Sequence, residues 1–281
     1  MRIAVLGLGI IGSVWARHWA ADGHAVRTWN RTAKPDAPGF TADPVAACRE
    51  AELIAFVLAD AAATHAIAER VLPTIAAGAI VAQHATVGPD DMRALATAVR
   101  AAGGTPIEMP FTGSKPAAQA RQVVWFVGDD HDALPRIAPA YQPLARALMP
   151  VGRIGDAAAL KLALNTLIAN TYQGMAEAFE LVRRAGLDAD TFFRALDRNV
   201  ARSGLVDLKA AKMRARDWRP QFSVKHMRKD LRLALALAER LGLPLPQTAA
   251  AEKRYGEAAA SGLEDCDFSA LLEVVRRGGP A

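Results

Sequence analysis

Six residues near the N-terminus constrain this chain more than any others. Gly7-Leu8-Gly9-Ile10-Ile11-Gly12 follows an apolar run at 3–6 and opens a segment at 12–22 with helical apolar spacing. A GxGxxG on its own is a weak signal; between a strand and a helix it is the turn that cradles a dinucleotide. Gly7 permits the tight turn, Gly9 lets the backbone approach a pyrophosphate, and Gly12 lets the helix pack closely on the strand. Amides at the helix N-terminus then face the anion. The bland reading, a glycine-rich turn with no ligand, does not explain why the glycines stand at this junction.

The same alternation continues through the first half of the chain. Apolar runs at 3–6, 25–29, 53–58, 80–83, 105–109 and 123–127 read as strands, and 12–22, 61–70 and 89–102 as helices. Strands that alternate with helices imply a parallel sheet covered on both faces, the doubly wound α/β arrangement. After Gly152 the pattern changes. Leu160, Leu164, Leu167, Thr171, Met175, Phe179 and Val182 recur at helical spacing and predict one long helix over 156–184, closed by Gly186. Further helices are expected at 189–199, 204–216, 224–241, 247–260 and 269–276, punctuated by Pro220, Gly242, Pro244, Pro246 and Gly262. The expected organisation is a mostly parallel N-terminal Rossmann domain, 1–153, and an all-α domain, 154–281, that includes the long helix.

The end of the second strand bears on cofactor choice. A carboxylate there would bind a ribose 2′-hydroxyl and repel a 2′-phosphate. The chain has Asn30-Arg31-Thr32 instead. Arg31 offers a guanidinium fork suited to phosphate, while Asn30 and Thr32 offer neutral hydrogen bonds. NADP(H) is therefore expected over NAD(H). Lys34 either adds charge there or is solvated.

Composition narrows the partners. The net charge is +5, but Lys and Arg are scattered, with no basic stripe interleaved with aromatics, so a nucleic-acid partner is not expected. The two cysteines, Cys48 and Cys266, have no CxxC spacing, and the six histidines show no HExxH pairing. No metal site is expected, and a reducing, cytoplasmic setting fits. The glycines at 7, 9 and 12 break the first apolar run, which reads as a strand rather than a signal peptide. No stretch approaches the ~18 apolar residues of a membrane span.

Lys161 and Asn165 stand four residues apart on the long helix and project from one face. A lone lysine on such a helix usually snorkels to water. Here it lies within Gly155-Asp156-Ala157-Ala158-Ala159-Leu160-Lys161-Leu162-Ala163-Leu164-Asn165, which resembles the GxxxxxKxxxN motif of the β-hydroxyacid dehydrogenases. The resemblance spans nearly the whole chain. It takes in the glycine turn, Gly23-His24, Asn30-Arg31-Thr32, Ala85-Thr86-Val87, Pro110-Phe111-Thr112-Gly113-Ser114, and Phe222 through Lys229-Asp230-Leu231. Within the family the chain looks most similar to the glyoxylate/succinic semialdehyde reductases, through Ser114-Lys115-Pro116-Ala117 and Lys225-His226.

The resemblance implies a role for each matched residue. Lys161 would protonate the carbonyl oxygen as hydride arrives, and Asn165 would orient the substrate and Lys161. Thr112 and the amides of Gly113 and Ser114 would grip a substrate carboxylate. Phe222 and Asp230 match active-site positions of the helical domain. The cofactor set comprises Gly7, Leu8, Gly9, Ile10, Ile11, Gly12, Asn30, Arg31, Thr32, Leu58, Ala59, Asp60, Thr86 and Lys229. The implied substrate is a small carboxylate-bearing carbonyl or alcohol, such as an aldehyde acid or β-hydroxyacid, and the implied assembly a homodimer.

The chain also departs from the family pattern. Glu108-Met109-Pro110 replaces Asp-Ala-Pro, Thr112-Gly113-Ser114 replaces Ser-Gly-Gly, and Gln119-Ala120-Arg121-Gln122 replaces the usual downstream glycines. These changes leave the reaction type intact and bear on the substrate. An imine reductase or reductive aminase is the main alternative, but such enzymes generally lack a lysine at this position. A non-catalytic dehydrogenase-like binding module is a further alternative, and retention of Lys161, Asn165 and Asp230 argues against it.

Overall fold

A computed structural model describes residues 1–277. The chain divides into two compact units, one running from Met1 to Lys161 and the other from Leu162 onward. The division falls inside the long helix.

The first unit is built on one eight-stranded sheet. Strands β1 (Arg2–Leu6), β2 (Ala25–Trp29), β3 (Leu53–Phe56), β4 (Ile80–Gln83) and β5 (Thr105–Glu108) run parallel. Two more, β6 (Phe111–Thr112) and β7 (Val123–Gly128), join antiparallel, and β8 (Ala145–Gly152) returns parallel to β7. The order is β2-β1-β3-β4-β5-β7-β6, with β8 on β7. Strands β3 and β4 are buried along their whole length, which is why they read as unbroken apolar runs. The strand order reverses between β1 and β3, which themselves run parallel, and in such sheets ligands settle outside the carboxyl ends of the strands at that switch point.

Helices α1 (Gly12–Ala21), α2 (Pro44–Cys48), α3 (Ala61–Val71), α4 (Pro89–Ala101), α5 (Lys115–Gln119) and α6 (Leu134–Tyr141) connect the strands. One core cluster contains Trp15, Trp19, Trp125 and Tyr141, with Trp15 and Trp125 ring centroids 5.2 Å apart. A second contains Phe56, Val81, Met92 and Leu95. The sequence pattern did not reveal α6 or β8. Helix α6 carries Pro135 in its first turn and Pro139 inside, and prolines ordinarily argue against a helix. Strand β8 is mostly half-exposed or exposed and contains Pro150, so it shows neither a buried run nor clean alternation.

Helix α7 (Asp156–Arg184) has the expected bounds, and Gly186 beyond it has φ +87°, the left-handed conformation of a C-terminal stop. The second unit continues with α8 (Ala189–Leu196), α9 (Gly204–Ala215), α10 (Val224–Arg240), α11 (Pro246–Ala258) and α12 (Leu271–Arg277). Among the described residues, all its regular elements are helical. Its core gathers Tyr172, Phe179, Phe193, Met213, Tyr255 and Phe268. Each such side chain contributes about 1.5–3 kcal/mol through burial.

Candidate active site

The glycine turn lies between β1 and α1, and its glycines divide the work. Gly7 has φ +106°, and a Cβ there would lie 2.3 Å from the Val57 carbonyl oxygen. A Cβ on Gly12 would lie 2.0 Å from the Gly7 carbonyl oxygen. Around Gly9 a Cβ would meet nothing within 4 Å, and both Gly9 and Ile10 are exposed. Gly7 and Gly12 thus close the turn on itself, while Gly9 leaves space for a ligand. That arrangement fits the pyrophosphate of a dinucleotide.

Groups after β2 brace this turn. The Leu8 amide donates to Asn30 Oδ1 at 2.9 Å, and Asn30 Nδ2 donates to the Thr32 carbonyl at 2.8 Å. The Leu8 carbonyl accepts from Ser13 Oγ at 2.8 Å and from Lys34 Nζ at 2.5 Å. Both ends of the Asn30 amide are thus engaged within the chain, and the Lys34 ammonium rests on the turn. Arg31 and Thr32 are exposed beside them.

Leu58 and Ala59 follow β3, and Asp60 caps α3 by accepting from the Ala63 amide at 2.8 Å. Thr86 is half-buried just beyond β4. Next to it, buried His84 is held at both ring nitrogens, with Nδ1 2.8 Å from the Met109 carbonyl and Nε2 2.8 Å from the Tyr141 hydroxyl. A carbonyl only accepts, so Nδ1 carries the hydrogen and Nε2 accepts from the tyrosine. Burial pushes the His84 pKa down to about 4, which keeps the ring neutral.

Glu108, at the end of β5, is 1% exposed and accepts from the Gly155 amide at 2.7 Å. Burial pushes its pKa up to about 7, against the lowering effect of the amides of Gly155, Ala158 and Ala157. These amides lie at the start of α7, so Glu108 seats the N-terminus of the helix that carries Lys161.

Beyond β6, Gly113 has φ +119° and Ser114 precedes α5, so Thr112, Gly113 and Ser114 form one sharp turn. Arg121 then adopts a left-handed φ of 59° and grips Asp22 at 2.7 and 2.8 Å. That conformation ordinarily favours glycine; here it accompanies a bidentate ion pair to the end of α1.

In the second unit, Asn165 is 3% exposed and donates to Asp230 Oδ2 at 2.5 Å. Asp230 is 1% exposed, and Lys229 Nζ lies 2.8 Å from its Oδ1. Asn165, Lys229 and Asp230 therefore form one network between α7 and α10. Lys161 is half-buried one turn before Asn165. Phe222 is half-buried in the turn before α10, whose N-terminal residue Val224 follows the cap Ser223.

Sequence reasoning missed the buried pair beside that turn, Lys209 with Asp267, and gave no role to His84 or Glu108. Lys209 and Asp267 are 58 residues apart, and Asp267 before Ser269 looks like any local cap. Among the described residues there is no group of three or more His, Cys, Asp or Glu side chains placed to hold a metal ion. Nor, among them, is any helix long and apolar enough to cross a membrane.

Residues 2–152 match the family described as the NAD binding domain of 6-phosphogluconate dehydrogenase. Residues 155–275 match the family described as NAD-binding of NADP-dependent 3-hydroxyisobutyrate dehydrogenase. Glyoxylate/succinic semialdehyde reductase 1 of Arabidopsis thaliana is 29% identical, over 98% of this chain and 99% of its own length. The 3-hydroxyisobutyrate dehydrogenase of Mycobacterium tuberculosis superposes with a TM-score of 0.87 at 25% identity, covering 98% of both chains. A reductive aminase of Aspergillus terreus shares the fold, with a TM-score of 0.66 at 23% identity, over 98% of this chain and 99% of that one.

Proposed function

The chain belongs to the 3-hydroxyisobutyrate dehydrogenase-like β-hydroxyacid dehydrogenases, and from that premise we propose that it is an NADP(H)-dependent reductase of a small aldehyde acid. The substrate is of the glyoxylate or succinic semialdehyde type. The observation that carries this reading is the lysine of the family motif, one turn before a buried Asn165 that Asp230 holds in place.

When bound, the reduced nicotinamide supplies a hydride to the carbonyl carbon. The Lys161 ammonium delivers a proton to the carbonyl oxygen, so C=O becomes CH–OH and the lysine is left neutral until water reprotonates it. Asn165, its amide nitrogen committed to Asp230, presents a fixed side chain to orient Lys161 and the substrate. Thr112 and the amides of Gly113 and Ser114 hold the substrate carboxylate, and Phe222 supplies an apolar wall. Lys229, paired with Asp230, supplies positive charge to cofactor or substrate.

On the cofactor side, the turn from Gly7 to Gly12 holds the pyrophosphate, with Leu58, Ala59, Asp60 and Thr86 lining the strand ends. Exposed Arg31, with Thr32, meets the 2′-phosphate, while Asn30 acts by bracing the turn. The protein is proposed to work as a cytoplasmic homodimer. Free thiols at Cys48 and Cys266 suit a reducing compartment, and Leu167 and Leu181 of α7, 62% and 72% exposed, offer an apolar face for a second copy.

The test is NADPH oxidation by the purified protein across glyoxylate, succinic semialdehyde, related aldehyde acids and a cyclic imine. Oxidation with an aldehyde acid is expected. Turnover with the imine alone would replace the proposal with imine reduction. Arg31→Ala is expected to weaken NADPH far more than NADH, and equal weakening would remove the 2′-phosphate assignment.

A further inference from the structure

We propose that the buried carboxylate of Asp267 is a positioning residue for the substrate: paired with Lys209, it fixes the turn that presents Phe222 and starts α10. This inference rests on the carbonyl-acid reductase reading, because that reading places Phe222 against the substrate.

The side chains of Lys209 and Asp267 are 1% and 0% exposed, with Nζ and Oδ1 2.7 Å apart. A buried pair of this kind is weak evidence for stability, since desolvation offsets much of its attraction. Its remaining contacts show what it holds. Asp267 Oδ1 also accepts from Ser269 Oγ at 2.6 Å and from the Ser269 amide at 3.2 Å. Oδ2 accepts from the amides of Gln221 at 2.9 Å and Phe222 at 3.4 Å. Burial would push this carboxyl up, but Lys209 and the Ser269 and Gln221 donors outweigh it and hold it below its ordinary value. The donors on both oxygens require an anion.

The main chain around the pair is tied to the same turn. The Phe268 amide donates to the Phe222 carbonyl at 2.8 Å, the Val224 amide to Cys266 at 2.9 Å, and the Asp267 amide to Trp218 at 2.9 Å. Lys209 reaches Gln221 Oε1 at 3.3 Å and sits 4.4 Å from the centroid of the Phe268 ring. The Phe222 ring packs edge-on against Phe268 at 6.2 Å. Position 222 is therefore set from both sides by groups that Asp267 orders. Seven residues on, α10 carries Lys229 and Asp230, the partner of Asn165.

An asparagine at 267 keeps the shape and loses this function. It has one acceptor oxygen, so its NH2 must face either the Gln221 and Phe222 amides or the Ser269 donors. Breaking one member of a buried pair also leaves an uncompensated charge, so Asp267→Asn alone can fail to fold. Lys209→Met combined with Asp267→Asn removes both charges and restores stability while leaving the turn without its anion.

The experiment compares the wild type with the double variant by hydrogen exchange across 218–226, by kcat and KM with succinic semialdehyde, and by the Kd of NADPH; the affinity for succinate, an unreactive dicarboxylate, is read with NADPH present. The expected result is faster exchange in the turn and a rise of roughly tenfold in KM and in succinate Kd, with kcat and NADPH affinity changed by no more than about threefold. Unchanged exchange overturns the proposal, and so does a loosened turn with unchanged KM. If the wild type binds succinate but reduces no aldehyde acid, the reductase reading fails, while a tenfold loss of succinate affinity in the variant still upholds the positioning role. Retained affinity in that case overturns it, and a wild type that neither binds succinate nor turns over defeats both.

Discussion

The two units place their candidate functional groups by different means. In the first, the backbone does the placing. Gly7 and Gly12 close a turn that no side chain would fit, and Gly113 turns the 112–114 segment; buried Glu108, which seats the amides at the start of α7, is the exception. In the second, buried polar side chains do it: Asn165 with Asp230 and Lys229, and Lys209 with Asp267. The contrast follows from the ligands proposed for each unit. Phosphates are held by amides, which only a particular backbone path can converge. A packed helix has its amides bonded internally, so it must present and orient side chains instead.

This contrast predicts different failures. The largest effect is expected in the glycine turn. Gly12→Ala drives a Cβ to 2.0 Å from the Gly7 carbonyl oxygen, so α1 must move off β1. NADPH affinity should fall by about 100-fold or more, with several kcal/mol of stability lost, as read by titration and thermal melting. Affinity kept within threefold would break the claim that backbone fit makes the site. Next comes Lys209→Met, which leaves the Asp267 charge buried and unpaired. It should cost about 3–5 kcal/mol in denaturant unfolding, with NADPH affinity unchanged where the variant is folded.

A third effect depends on pH. The Glu108 pKa is raised from 4.5 to about 7, so its contribution is full below pH 4.5 and is lost as pH rises through 7. His84, lowered from 6.5 to about 4, works the other way: its contribution is present above 6.5 and lost as pH falls through 4. The two oppose each other between about pH 4.5 and 6.5. The difference between wild type and Glu108→Gln isolates the glutamate. Relative to the variant, the wild type should lose about 3 kcal/mol between pH 4 and pH 8. A difference that does not vary with pH would show that Glu108 keeps an ordinary pKa.

The smallest effect is expected at Arg121→Gly. Relief of the left-handed φ and loss of the half-exposed pair to Asp22 should cancel to within about 1 kcal/mol by thermal melting. A larger loss would mean that the ion pair, rather than the backbone, sets this segment.

The same contrast explains what could be read from the sequence. Placement by backbone leaves glycines at fixed offsets, so the turn at 7–12 and its flanking strand and helix were visible, as was α7 from its apolar spacing. Spacing puts Lys161 and Asn165 on one helix face, but their roles rest on the resemblance of 155–165 to the family motif. Asp230 could be placed only through the family resemblance, since it meets Asn165 across 65 residues. Lys209 and Asp267 left no local mark, for the same reason. Asn30 and Lys34 were visible as residues, but their hydrogen bonds to Leu8 depend on where the chain after β2 folds back. The departure at Glu108 was evident, yet its partner Gly155 lies 47 residues on, at the start of another element.

The central claim is that the glycine turn binds the cofactor while Lys161 performs the proton transfer, so the two can be separated. Lys161→Ala tests it most directly, with NADPH Kd measured by fluorescence titration and kcat by NADPH oxidation on the best aldehyde acid. The expected result is a Kd within about threefold of wild type and a kcat lower by roughly 100- to 10,000-fold. Turnover near the wild-type rate would contradict the claim.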